Sequence, residues 1–415
     1  MAFLLPIVEK LNKSKGKESS DKNVLILQPS KELALQTFQE IEKIVAKNSD
    51  LSSKVRAHNL VDVQPKTLKK FQSEKESETK NAKLPNILLT TPNKLIHLLK
   101  ENSKNVEISK IFNNYLKAIR TLVIDESDQL FEETHQKNTD RSFRTQLATI
   151  FTKLSNFSCH FFSATYSNTV EKWCETYLDN FITVSVGTRN TANNKIEQKL
   201  MFCENERHKL LSLTDILLKE FKPPILIFVQ NKYRVDELYK ELCATCPEDI
   251  DHTKIGSIHS DLNNKLRSDT IEKFRNGDKL ILISTELLGR GMDFVNVGLV
   301  INYDIPTSPI SYIHRIGRTA RGNASKGHAI TLFTPADKHI LRTIGGVMQQ
   351  AGCEVPEYIM KLKKLNNKER KRMANQSIKR DDIRFKKKKR KVDEKSEKEK
   401  SEKPVKIQVK KSKNK

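Results

Sequence analysis

Three acids close an apolar run in Thr121-Leu-Val-Ile-Asp-Glu-Ser-Asp-Gln-Leu130. Leu122, Val123 and Ile124 suit a strand buried on both faces of a parallel sheet. Asp125, Glu126 and Asp128 then fall at the strand's carboxyl end, where open α/β sheets bind their ligands. One carboxylate there can hold a Mg²⁺ through the ion's waters. The next can orient or deprotonate a water that attacks phosphorus. Taken alone, the same residues would also suit a polar turn, so the assignment depends on what the rest of the chain supplies.

The elements that must carry these groups alternate between strand and helix. Residues 3–11 read as a short helix with Phe3, Leu4, Ile7, Val8 and Leu11 as its apolar positions. Residues 24–27 read as a buried strand running into Gln28, Pro29 and Ser30. Ser30 suits an N-cap and Glu32 the first turn of the next helix, whose core face would be Leu35, Phe38, Ile41 and Val45. Residues 66–83 are a polar surface stretch, and 87–89 form another strand followed by a helix through Leu99. Further strands are expected to end at Phe161 and to span 181–186. After a polar stretch from Gly187 to Asn194, strand patterns recur at 225–229, 254–258, 280–284, 299–302 and 329–333, with helical patterns between them. Such alternation argues for an α/β fold with a parallel sheet in each half. The expected layout is a first domain over 1–187, a linker at 188–194, a second domain over 195–358 and a tail over 359–415.

The 415 residues carry 75 Lys and Arg against 51 Asp and Glu, a net of +24. Residues 361–415 hold 25 basic and 8 acidic residues, so +17 sits in the tail and only +7 in the first 360 residues. A near-neutral body with a cationic tail, including Phe385-Lys-Lys-Lys-Lys-Arg-Lys-Val392, suits a nucleic-acid partner, and the tail's low apolar content makes disorder the expectation. The six cysteines include one isolated CxxC, Cys243-Ala-Thr-Cys246, which argues against a zinc site and for a reducing compartment. No apolar run approaches a membrane span, and the apolar start lacks the basic leader and cleavage site of a signal peptide.

The motifs, taken together, resemble a DEAD-box RNA helicase. Pro29-Ser-Lys-Glu-Leu-Ala34 resembles motif Ia, Thr91-Pro-Asn-Lys-Leu95 motif Ib, Asp125-Glu-Ser-Asp128 motif II and Ser163-Ala-Thr165 motif III. Leu226-Ile-Phe-Val229 resembles motif IV, Ser284-Thr-Glu-Leu-Leu-Gly-Arg-Gly-Met-Asp293 motif V and His314-Arg-Ile-Gly-Arg-Thr-Ala-Arg321 motif VI. Their order over residues 29–321 is far more specific than any one of them. The Asp-Glu-Ser-Asp variant and the Cys353-Glu-Val-Pro-Glu-Tyr358 region look most like the Rok-type branch, which is nucleolar and acts in small-subunit assembly.

The resemblance implies two RecA-like domains using ATP and Mg²⁺. Asp125 would bind the metal through water and Glu126 would position the attacking water, with Arg318 and Arg321 as arginine fingers. Gly291, Asp293 and His314 would meet the nucleotide, and Asp128, Ser163 and Thr165 would couple the domains. Pro29, Lys31, Thr91, Pro92, Asn93, Lys94 and Thr285 would contact the RNA backbone. The expected partners are RNA, most naturally pre-rRNA, and pre-ribosomal proteins; the protein is read as a nuclear, nucleolar monomer with no membrane partner.

Some positions depart from the family pattern. Lys31 replaces the usual Arg, Gly289 the usual Ala, and Ala320 the usual Gly. Neither the adenine-binding Gln motif nor a Gly-Lys-Thr phosphate loop occurs in the sequence, whose start matches the helix that normally follows that loop. The first domain is therefore expected to be incomplete at its N-terminus, with a central gap beside the strand ending at Asp125. Three readings follow: a helicase whose recorded start is too late, an RNA-binding pre-ribosome scaffold without ATPase activity, and a DNA translocase on the same core.

Overall fold

The computed structural model describes residues 2–13, 23–61, 85–102, 106–128, 142–165, 168–187, 191–219, 222–245, 251–286, 294, 297–320, 326–363, 378 and 380–383. The first half comprises α1 (Leu4–Asn12), β1 (Asn23–Leu27), α2 (Lys31–Ala46), α3 (Ser49–Lys54), β2 (Ala57–Asn59) and β3 (Ile87–Thr90). It continues through α4 (Pro92–Asn102), α5 (Val106–Lys117), β4 (Ile119–Ile124), α6 (Phe143–Phe151), β5 (Ser158–Phe161) and α7 (Asn168–Tyr177). Its five strands lie in the order β2-β3-β1-β4-β5, all parallel. β1, β3 and β4 are apolar runs buried on both faces. Phe3, Leu4, Ile7, Val8 and Leu11 of the α1 region pack with Val24, Ile26, Ile41 and Val123 on one face, while α4, α5 and α6 cover the other.

The second half follows the same plan with β6 (Ile196–Phe202), α8 (Glu206–Lys219), β7 (Ile225–Val229), α9 (Lys232–Thr245), β8 (Ile255–Ile258) and α10 (Asn264–Asn276). Then come β9 (Ile281–Thr285), β10 (Leu299–Asn302), α11 (Pro309–Ile316), β11 (Gly327–Phe333), α12 (Lys338–Gln350) and α13 (Glu357–Met360). The sheet order is β6-β11-β10-β7-β9-β8, again all parallel. The chain is thus two α/β domains, each built on a parallel sheet. Among the described residues, no helix is long and apolar enough to cross a membrane.

Several expectations fail. The anticipated gap beside the Asp125 strand is not there, because β4 hydrogen-bonds β1 on one side and β5 on the other. The sheet instead stops at β5, whose second edge has no partner strand among the described residues. Residues 181–186 are not a strand: they carry no regular secondary structure, with Ile182 88%, Val184 82% and Val186 97% exposed. On α2, Leu35 lies on the exposed side, and the buried stripe is Leu33, Ala34, Thr37 and Ile41. The tail is not wholly without structure either, since Ile383 is buried in the second domain's core. The surface stretch at 66–83 and Gly289 lie outside the described residues.

One departure from the family pattern has a backbone cost. Ala320 sits at φ 56°, in the left-handed region that disfavours a side chain. The turn is pinned there because Thr319 Oγ1 donates to Val297 O at 2.6 Å. Gly327 also passes so close that an added Cβ would lie 2.8 Å from the Ala320 nitrogen.

Two outcomes are expected from this fold. Ala320→Gly should raise the urea-unfolding free energy by about 0.5–1 kcal/mol, the released strain exceeding the entropy glycine gains in the unfolded chain. The paired change Ile182→Ser and Val184→Ser should leave the unfolding midpoint within the effect of an ordinary surface substitution, about 0.5 kcal/mol, while reducing binding of an apolar dye. A large loss of stability from that pair would show these side chains to be buried.

Candidate active site between the two sheets

Because all strands of a sheet run the same way, their carboxyl ends share one edge, and the predicted groups collect there. On the first sheet, Pro29 follows β1, and Thr91, Pro92, Asn93 and Lys94 follow β3. The acids follow β4, and Ser163 and Thr165 follow β5. Ser30 accepts a hydrogen bond from the Leu33 amide at 3.2 Å, capping α2 and leaving Lys31 exposed at its first turn. The Thr91 hydroxyl accepts from the Lys94 amide at 3.3 Å, so Thr91 and Pro92 are buried while Asn93 faces solvent. On the second sheet, half-buried Thr285 ends β9, and α11, which bears His314, follows β10.

Asp125 is tied to the sheet by its own backbone, its amide donating to Leu27 O at 3.0 Å. Its carboxylate accepts from Gln28 Nε2 at 2.9 Å and from the Glu126 amide at 3.0 Å. Burial pushes the Asp125 carboxyl above the usual range; the Gln28 hydrogen bond opposes this, and the neighbouring charge of Glu126 adds to it. Glu126 has φ 49°, a strained conformation for a side chain of this size. The buried atoms Glu126 Oε2 and Asp128 Oδ1 have no hydrogen-bond partner.

The two domains meet at Asp128. His314 Nε2 lies 2.8 Å from Asp128 Oδ2, both side chains being almost fully buried. Thr165 Oγ1 donates to the same oxygen at 2.5 Å and lies 3.3 Å from His314 Nε2. The other ring nitrogen, Nδ1, is 3.8 Å from Glu126 Oε2. Burial alone would raise the Asp128 carboxyl, but His314, Thr165 and Ser163 outweigh it and hold it at about 2. Behind His314, Arg315 is clamped by Glu286 at 3.0 Å, and Ser311 donates to the same carboxylate. Arg318 is buried, its Nε donating to His314 O at 3.0 Å. A second bridge between the domains joins Arg267 of α10 to Glu32 of α2 at 2.7 Å.

The structure therefore brings together Asp125, Glu126, Asp128, Thr165 and His314. Gly291, Asp293 and Arg321 lie outside the described residues. Sequence reasoning missed Gln28, which is fully buried and also donates to Thr37 at 2.8 Å, and the Glu32–Arg267 pair. An amide one residue past an apolar run looks like any turn residue, and a pair spanning two domains leaves no local pattern. The donor set suits a hard cation. The acids lie close together, one carboxyl is raised by burial and a neighbouring charge, and two buried carboxylate oxygens lack partners.

Residues 1–173 match the family model of DEAD/DEAH box helicases, and residues 208–323 match that of the helicase conserved C-terminal domain. The chain is 40% identical over 385 residues to the bovine (Bos taurus) probable ATP-dependent RNA helicase DDX52, covering 92% of this chain and 59% of that protein. It is 34% identical over 377 residues to the ATP-dependent RNA helicase ROK1 of Saccharomyces cerevisiae, covering 90% and 61%. The chain thus spans about three fifths of the length of these curated relatives. Among solved structures, S. cerevisiae Dbp5 bound to RNA and ADP BeF3 superposes with a TM-score of 0.65 at 25% identity, covering 90% of this chain and 85% of that one. The helicase Mss116 bound to ssRNA and UDP-BeF gives 0.68 at 25% identity, covering 89% and 70%. Two parallel-sheet domains, the acids of one facing the histidine of the other, and both domain matches in the same order together put this chain in the DEAD-box helicase family.

Proposed function

We propose that this protein couples ATP hydrolysis to the remodelling of RNA or RNA–protein complexes. We further propose that it does so as a nucleolar monomer in small-subunit rRNA processing and ribosome assembly, among pre-ribosomal proteins. The observation that carries the ATP part is the convergence of Glu126, Asp128 and His314, whose ligand atoms lie within 4.8 Å of one another across the two domains. The RNA part draws support from the names of the relatives and from the RNA in the two superposed complexes. The ribosomal part draws on the Rok-type resemblance of Asp125-Glu-Ser-Asp128.

In this reading Asp125, whose carboxylate is held by Gln28 and the backbone of Glu126, would hold Mg²⁺. When bound, the ion neutralises charge on the phosphate oxygens. The Glu126 carboxylate, whose Oε2 is free of hydrogen bonds, orients the attacking water and takes up its proton. Arg318 and Arg321 bring guanidinium groups to the transferring phosphoryl, an effect typically worth about 10³–10⁵ in rate. Gly291 and Asp293 meet the nucleotide. Asp128, Ser163, Thr165 and His314 tie the hydrolytic edge of one domain to the other. Pro29, Lys31, Thr91, Pro92, Asn93, Lys94 and Thr285 lie against RNA phosphates, where helix N-termini and short polar groups bind without reading sequence.

RNA-stimulated ATP hydrolysis by the 415-residue chain tests the proposal. Glu126→Gln should lower the kcat of that hydrolysis by roughly 10²–10⁴ while leaving RNA affinity unchanged. Equal turnover in the variant would remove Glu126 from the chemistry. RNA binding with no turnover in the parent would favour the scaffold reading. A matched DNA duplex tests the translocase reading.

The coupling contact has its own pH signature. The Asp128 carboxyl titrates at about 2 when folded and at about 3.9 when unfolded. The contact therefore contributes fully above the unfolded value and fades as pH falls through the folded one, a term of about 2 kcal/mol at neutral pH. Asp128→Asn should lose roughly that much stability at pH 6 and converge on the parent only once the pH is below about 1.5. A pH-independent difference in denaturant midpoints would refute it.

A further inference from the structure

A short piece of the basic tail is built into the second domain. Ile383 is buried in the core formed by α8, α9, β7 and β10. The carbonyls of Ile378 and Asp381 accept hydrogen bonds from Gln230 Nε2 at 3.1 Å and from Arg234 NH1 at 3.0 Å. Between them Arg380, only 3% exposed in its side chain, pairs with Asp337 at 2.7 Å and lies 3.4 Å from Asp304. Its Nε also donates to Gln230 Oε1 at 3.1 Å.

Arg380 enters a buried charge network that balances only when it is present. The anions are Glu206, Asp304 and Asp337; the other cations are Lys209 and Arg234. The Asp304 and Asp337 side chains are wholly buried. Among the described residues Arg380 is the only cation on Asp337. Without it, three buried carboxylates would share two cations, an arrangement that a low-dielectric interior penalises strongly. Burial works against the Asp304 carboxylate, and Lys209, Arg380 and Arg234 together hold it far below the usual range.

Asp304 also connects this network to the cleft. Its carboxylate accepts from the Gln230 amide at 2.9 Å, and its own amide donates to Phe228 O at 3.2 Å. Its carbonyl accepts from Arg315 NH1 at 2.8 Å, one residue from His314 on α11. The strap thus lies beneath the turn from which the histidine-bearing helix springs.

We propose that Ile378 and residues 380–383 form an integral strap of the second domain and that Arg380 is a positioning residue for α11, acting through Asp304 on Arg315 and His314. The inference rests on the contacts of the strap and holds whether or not the chain hydrolyses ATP.

Amide exchange and limited trypsinolysis of the full chain, read by mass spectrometry, test it. In the parent, cleavage after Lys379 and Arg380 should be at least tenfold slower than cleavage within 386–391. Arg380→Met, which removes the tryptic site after 380, should erase the protection after Lys379 and speed exchange at Gln230, Asp304 and residues 311–316 at least tenfold, with Arg380→Lys recovering most of it. Ile383→Ala, which loosens the apolar anchor but keeps the charge, separates positioning from plain stability: at an equal loss in unfolding midpoint it should leave 311–316 far better protected than Arg380→Met does. Equal exchange at 311–316 in these two variants would overturn the positioning role. Parent cleavage after Lys379 as fast as within 386–391 would overturn the strap itself.

Discussion

A carboxylate taken out of water must find a compensating charge or hydrogen bonds, and both halves of this protein are arranged around that requirement. Asp304 and Asp337 are satisfied within the second domain by Lys209, Arg234 and Arg380. Asp128 is satisfied across the cleft by His314 and from its own domain by Thr165. Asp125 and Glu126 are the exception. They have Gln28 and local backbone, a raised carboxyl on one and a buried oxygen without a partner on the other. A pair left short of positive charge beside better-compensated groups is where a cation-bearing ligand gains most.

The same contrast accounts for the order of the architecture. Parallel sheets deliver carboxyl ends to one edge, so residues distant in sequence become neighbours without any long loop having to be stiffened. α11 then presents His314 to that edge, held from behind by Arg315 on Glu286 and on the Asp304 carbonyl. The bridge from Glu32 to Arg267 fixes a second point of contact, and two such points constrain the rotation of one domain against the other more than one can.

Much of this was legible in the sequence, and the misses have physical causes. Unbroken apolar runs gave β1, β3, β4, β7, β9 and β10, because a strand covered on both faces has no polar position to disguise it. Ser30 was readable as a cap because capping is local. β2 and β6 escaped notice: the first is three residues long, and the second alternates Glu197 and Lys199 with buried neighbours as an edge strand does. Residues 181–186 carry a strand-like alternation, yet alternation cannot supply the neighbouring strand that pairing needs. The gap anticipated at the centre of the first sheet is absent, because β4 lies between β1 and β5, which no pattern within a single strand reveals. Residues 378–383 were lost to averaging, since a few anchoring side chains barely alter the composition of a strongly cationic segment.

That anchorage changes what the remaining cations can reach. Lys386 opens the lysine run three residues beyond Ile383, and three residues span at most about 11 Å. Counted from Lys363 instead, chain length alone would set the limit at about 80 Å. Shortening the leash confines the charge to a far smaller volume around one face of the second domain. A polyanion captured by the tail would be held there at high effective concentration rather than shared with the surrounding solution.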